Sequence, residues 1–212
     1  WLAIRLRPRG RRAGDSAVLD AYRRLLESNA RIAVLGPALA FGLLAGMSAT
    51  TEVLPLLAWI NAVPFGRTDP VFGLDYSFYV FDFPVWQSLL SFLLTALIFS
   101  LIAAALVHFA MGGIRFGRSP GRPQFSQAAR VHLSVLTGVL LVLYGLQCLL
   151  DRYGMLLSQG TLFTGVHYTD DHARIGAKLV MAVISFLVAG LFFANPILKR
   201  GIYPAAALVL MV

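Results

Sequence analysis

Charge and apolar sequence exclude one another along this chain. The runs 32–49, 84–111, 131–150 and 176–194 are almost free of charged residues, and the segments outside them hold all of the arginine and aspartate. An apolar helix of about 20 residues spans a roughly 30 Å hydrocarbon core, and a segment isolated in lipid must satisfy its own backbone hydrogen bonds. The expected fold class is therefore all-α: a polytopic transmembrane helical bundle with four full spans and a partial fifth, 202–212. Hydrophobic residues make up 58% and charged residues only 13% of the chain, against about 25% charged in soluble domains. Because the chain starts at Trp1 and stops inside an apolar run, it reads as part of a longer protein.

The gaps alternate in charge. Eight arginines, from Arg5 to Arg31, precede the first run, and Arg115, Arg118, Arg122 and Arg130 precede the third. Between Thr50 and Phe83 there is only Arg67, against Glu52, Asp69, Asp75 and Asp82. Lys and Arg are retained on the cytoplasmic side during insertion. This bias predicts a multi-pass membrane protein, with residues 1–31 and 112–130 cytoplasmic and 50–83 and 151–175 outside. Residues 1–31 form a basic cytoplasmic segment, within which Val18, Leu19, Tyr22, Leu25 and Leu26 recur at helical spacing over 15–29. An amphipathic interfacial helix is expected there, with arginines for anionic lipid headgroups. The net charge of +8 does not point to nucleic acid, because the arginines gather at span ends rather than on a basic face.

Several residues invite a functional reading. Ala38, Gly42 and Gly46 lie four apart on the first span, as do Ser134 and Gly138 on the third and Ser185 and Ala189 on the fourth. Such small faces let helix backbones approach. His108 closes the second span and His132 opens the third, which places both at similar depth near the inner interface, where histidines commonly bond carbonyls or headgroups. A haem or pigment metal is conceivable there, but no haem-attachment motif accompanies them and no cofactor is favoured. His167, Asp170, Asp171 and His172 have metal-ligand chemistry, although the same residues suit the cap of the fourth span, with acids at its N-terminus. Lys178 is expected to reach the surface or to pair with Asp170 or Asp171. Asp and Glu are absent from all four predicted spans, which argues against an ion-coupled pathway. No hydrolase triad or phosphate loop is evident, and no enzyme is expected.

In the 50–83 gap, Val53, Leu56, Leu57 and Ile60 suggest a short helix lying on the membrane surface. Beyond Pro64, the stretch Phe65-Gly66-Arg67-Thr68-Asp69-Pro70-Val71-Phe72-Gly73-Leu74-Asp75 has turn signals at Gly66, Asp69-Pro70 and Gly73. It runs into an aromatic belt of Tyr76, Phe78, Tyr79, Phe81, Phe83 and Trp86. This stretch, together with Ala129 to Leu136, Leu150 to Tyr153 and Phe163 to Asp170, resembles uncharacterised protein family 0182 of bacteria. The resemblance covers most of the chain after about Tyr22. It implies about seven spans followed by a large extracytoplasmic region, and no activity. The leading expectation is a non-catalytic anchor, scaffold or accessory subunit beside other membrane protein subunits. A transporter or channel component and a haem- or pigment-binding subunit are the alternatives.

Overall fold

The computed structural model describes residues 28–116, 123–157 and 173–198. The amphipathic helix expected over 15–29, the cluster His167, Asp170, Asp171 and His172, and the partial span 202–212 fall wholly or almost wholly outside them. The described chain is helical but for one short ladder. Helix α1 spans Ala30–Ala49 and passes through a single 3-10 turn, Thr50–Glu52, into α2, Val53–Ile60. A loop leads to a π-turn, Phe78–Asp82, which opens α3, Phe83–Ala110. Strands β1 (Ile114–Phe116) and β2 (Pro123–Phe125) pair antiparallel, a hairpin the sequence reading did not anticipate. Helices α4, Gln127–Gly154, and α5, Ile175–Leu198, complete the described chain. Four helical stretches are long and apolar enough to cross a membrane.

The helices run past the expected span ends for local reasons. Ser126 caps α4 by accepting a hydrogen bond from the Ala129 amide at 3.2 Å, so the helix starts ahead of Val131. At its other end α4 continues beyond the apolar run to Gly154 and carries Asp151 on its last turns. Pro84 sits in the first turn of α3, where its missing amide donor costs nothing. Inside the spans, Thr95, Ser100 and Ser185 donate to carbonyls four residues back. A hydroxyl that satisfies itself in this way is tolerated in an apolar medium.

The core of the bundle is the antiparallel pair α4 and α5. On α4, Ser134, Gly138, Leu141, Gly145 and Cys148 are buried, at alternating steps of four and three, the period of a left-handed supercoil. Ala182, Ser185, Val188 and Ala189 face them from α5. Two phenylalanines seven residues apart fill the two glycine positions. A Cβ on Gly138 would lie 2.6 Å from the Phe193 ring, and one on Gly145 would lie 2.7 Å from Phe186. Leu141, Val188 and Ala189 form the apolar centre between them. Helix α3 packs on the other side of α4, with Phe83 over Gly154 and His108 beside His132. Helix α1 touches α3 through Phe41 against Phe92 and Phe99.

Polar residues form two collars at matched heights. Asp151 with Lys178 makes one, and His108 with His132 and Ser134 with Asn195 make the other. Counted along the helices from these contacts and from Phe41 against Phe92 and Phe99, Glu52 and Trp86 fall near the first and Arg31 near the second. Along each helix the collars are about 25–33 Å apart at about 1.5 Å per residue, the thickness of a hydrocarbon core.

A Cβ at the packed glycines has no room to form, so Gly145→Val is expected to destabilise the bundle by about 1–3 kcal/mol. At Gly190 a Cβ would meet nothing within 4 Å, and Gly190→Ala is expected to be neutral or stabilising by up to about 1 kcal/mol. Thermal unfolding of the two variants in one detergent compares them directly.

Candidate functional site

The densest polar geometry lies at the acidic end, in the loop between α2 and α3. Asp69-Pro70 starts a tight turn in which the aspartate side chain replaces backbone partners. Asp69 is 2% exposed. Its Oδ1 accepts from the amides of Val71 at 2.8 Å and Phe72 at 2.6 Å, and its Oδ2 from the Leu74 amide at 2.8 Å and the Tyr79 hydroxyl at 2.9 Å. Asp75 does the same across the loop, accepting from the amides of Phe65 at 3.0 Å, Gly66 at 2.8 Å and Ser77 at 2.8 Å. A bridge between Thr68 and Asp75 ties the two turns. Gly66 and Gly73 have φ of 71° and 69°, a region open to glycine and costly for a side chain.

Burial pushes the Asp69 carboxyl up, but the donors from Phe72, Leu74, Tyr79 and Val71 outweigh it and hold the group below the usual aspartate value. Donation from Ser77 and then Phe65 holds Asp75 down to about 2. Both carboxylates are engaged chiefly by backbone amides. Their chemistry is to fix a loop.

That loop is seated on the end of α4. Phe72 meets Tyr153 edge to face at 4.8 Å between centroids, and Phe78 meets the same ring at 5.4 Å. The Arg152 guanidinium lies 5.7 Å from the Phe72 ring centre and 5.8 Å from that of Tyr153, within cation–π range. Trp59 donates its indole N–H to Asp82 at 2.9 Å and so ties α2 to the π-turn.

Two polar pairs close the α4–α5 seam at its ends. Lys178 reaches Asp151 at 2.6 Å, and Gln147 donates to the second oxygen of Asp151 at 2.8 Å; the expected partners Asp170 and Asp171 lie outside the described residues. Seen from sequence, Asp151 seemed to lie beyond the third span. It is the helix's continuation that brings the acid level with Lys178. At the opposite end Asn195 donates to Ser134 at 2.9 Å, and both are buried.

The histidine pair is in direct contact. His108, fully buried, and His132 lie 3.1 Å apart through Nε2 and Nδ1, with rings at 76°. Trans axial ligation would hold the two nitrogens about 4 Å apart, at roughly 2.0–2.1 Å each from the metal, so this geometry is a hydrogen bond rather than a bis-histidine haem site. Among the described residues no three His, Cys, Asp or Glu side chains gather as a metal site. The expected packing residues divide. Ser134, Gly138, Ser185 and Ala189 are buried in the seam, whereas Ala38, Gly42 and Gly46 are exposed, and a Cβ on either glycine would meet nothing within 4 Å.

The profile of Uncharacterised protein family (UPF0182) matches residues 1–212. The chain is similar to a UPF0182 protein of Streptomyces coelicolor, 41% identical over 201 residues, covering 92% of this chain and 20% of that one. A UPF0182 protein of Frankia alni is 40% identical over 201 residues, 94% of this chain and 19% of that one. One from Saccharopolyspora erythraea is 37% identical over 214 residues, all of this chain and 22% of that one. The chain thus spans about a fifth of the length of these relatives. No solved structure matches it.

Because both loop carboxylates titrate lower in the folded protein, their contribution is complete above the unfolded value of about 4 and is lost as pH falls through the folded values. Amide exchange at Phe72 and Leu74 is expected to stay slow from about pH 7 to about pH 5 and to accelerate below about pH 4. Tyr79→Phe removes one charge-assisted donor and is expected to cost about 1.5–3 kcal/mol. At the seam, Asp151→Leu strands the Lys178 ammonium, so that variant is expected to unfold at a lower temperature than the double variant Asp151→Leu/Lys178→Met.

Proposed function

The chain belongs to uncharacterised protein family UPF0182, and on that premise we propose that this region is a non-catalytic membrane anchor. Its role is to position the larger remainder of the protein, or to dock beside other membrane subunits. The observation that carries the reading is the filled α4–α5 seam. Phe193 over Gly138, Phe186 over Gly145 and the apolar centre at Leu141, Val188 and Ala189 separate the polar pairs of the two collars. A transport path needs ionisable groups or broken helices near the midplane, and both polar pairs lie at the ends of the seam. The acids of the described loop are spent on backbone amides, which supports the absence of catalysis there.

The orientation belongs to the same proposal. The arginine-rich segments at 1–31 and 115–130 are cytoplasmic, the Asp69 loop is outside, and the membrane is the bacterial cytoplasmic membrane, with anionic headgroups beside the arginines.

In sealed cells, Arg67→Cys is expected to react with an impermeant maleimide and Ser119→Cys to stay blocked until the cells are opened. The reverse pattern overturns the orientation. Full-length protein in liposomes is expected to leave proton and potassium leakage at the protein-free rate and to purify without visible absorption. Leakage that follows protein dose would replace the anchor with a channel or transporter.

A further inference from the structure

Helix α2 is the outer end of the long apolar stretch Leu35–Ile60 and lies beyond Glu52. It contains no charged residue, and Leu54, Leu57 and Ile60 are 77%, 53% and 71% exposed. The height of α2 follows from its neighbours. Phe41 lies between Phe92 and Phe99, so at about 1.5 Å per residue Glu52 is level with the start of α3. That is the collar of Trp86, Asp151 and Lys178. Thr50–Glu52 keeps right-handed helical backbone angles, so α2 continues onward from α1, and the Trp59 bond to Asp82 holds its far end beside the π-turn. From Glu52 to Ile60 is about 12 Å of helix, against an interfacial layer of roughly 5–8 Å on each side of the core.

A helix that rests in the lipid interface has a polar, usually basic, face toward the headgroups. Val53 to Ile60 has none. A helix apolar on all sides is buried, in a membrane or in protein, and a contiguous apolar patch left in water marks an interaction site. The remaining source of cover is protein, and about four-fifths of the length of the relatives lies outside the part this chain matches.

We propose that α2, with the adjoining Val63 and Phe65, is the docking face for an uncharged aliphatic or aromatic surface of the same polypeptide's larger remainder. The proposal rests on the membrane reading above. It goes beyond that reading by naming where the anchor grips what it carries. The rigid Asp69 loop then serves as a fixed shelf beside the contact, since Phe65 is held through its amide by Asp75.

The test is spin labelling of purified full-length protein in lipid vesicles, at Leu54→Cys and Ile60→Cys, with Leu106→Cys and Leu187→Cys as labels within the spans. Intrachain cover predicts immobile labels at 54 and 60, with access to both oxygen and a water-soluble nickel chelate several-fold below that of a free label, and no dipolar broadening. High oxygen with low nickel access at 54 and 60 means lipid covers α2 and overturns the proposal. High nickel access means water and overturns it as well. Dipolar broadening assigns the face to a second copy and overturns intrachain docking. Water-like access at 106 and 187 would instead sink the membrane reading, so the two failures are told apart.

Discussion

In a hydrocarbon medium a polar side chain has no solvent to turn to, and the rest of this bundle is arranged around that restriction. Two polar pairs cross the α4–α5 seam near the height of a collar, Lys178 with Asp151 and Asn195 with Ser134, while Ser185 donates within its own helix to Met181. Between these pairs only small and apolar residues meet, and two phenylalanine rings occupy the space two glycines leave. The polar pairs fix the register of the helices. A slip of one turn would move Phe186 and Phe193 off their glycines and break both hydrogen bonds at once. Buried polar contacts of this kind add little net stability beyond apolar packing, yet penalise every misaligned alternative.

Much of this was legible in the sequence, because length and apolarity act on whole segments. The four apolar helices, the similar depth of His108 and His132 and the turns at Gly66, Asp69-Pro70 and Gly73 all follow from local composition, whereas the contact between the two histidines does not. What could not be read were pairings that depend on where a helix stops. Asp151 looked like a loop residue because Leu150 ended the apolar run. Ser126, by capping α4 early, and the continuation to Gly154 place it inside the helix, opposite Lys178. The continuation of α1 into α2 was hidden likewise. Thr50-Thr51-Glu52 reads as an exit from the membrane, but the helical path continues through it, and the long apolar stretch runs from Leu35 to Ile60.

The acids of the loop teach a related lesson. Asp69 and Asp75 in a glycine-rich stretch outside the predicted spans have the composition of a cation site. Only the geometry shows that their oxygens are already held by seven donors in all, six of them backbone amides. Side chain and backbone there form one unit, and the positive φ of Gly66 and Gly73 allows the amides to converge. A signal was present in the spacing: an Asp followed at once by Pro, with Gly four residues on, is a turn whose first residue turns inward.

The histidine pair completes the logic at the other collar. Two neutral imidazoles joined through Nε2 and Nδ1 share one proton, so one ring donates and the other accepts. The outer nitrogen of His108 is buried without a partner among the described groups. Its surroundings are set by backbone approach. Gly113 donates its amide to the His108 carbonyl at 2.7 Å, and a Cβ there would lie 3.2 Å from His108 Nδ1 and 3.4 Å from Ala129. The turn after α3 is folded against the imidazole, and the Gly113 carbonyl takes the Ser126 amide at 2.7 Å. Since Ser126 also caps α4, one glycine links the end of α3, the histidine contact and the start of the helix that carries Asp151. The two collars are thereby joined through one continuous helix, α4, whose start is fixed by Ser126 and whose last turns carry Asp151.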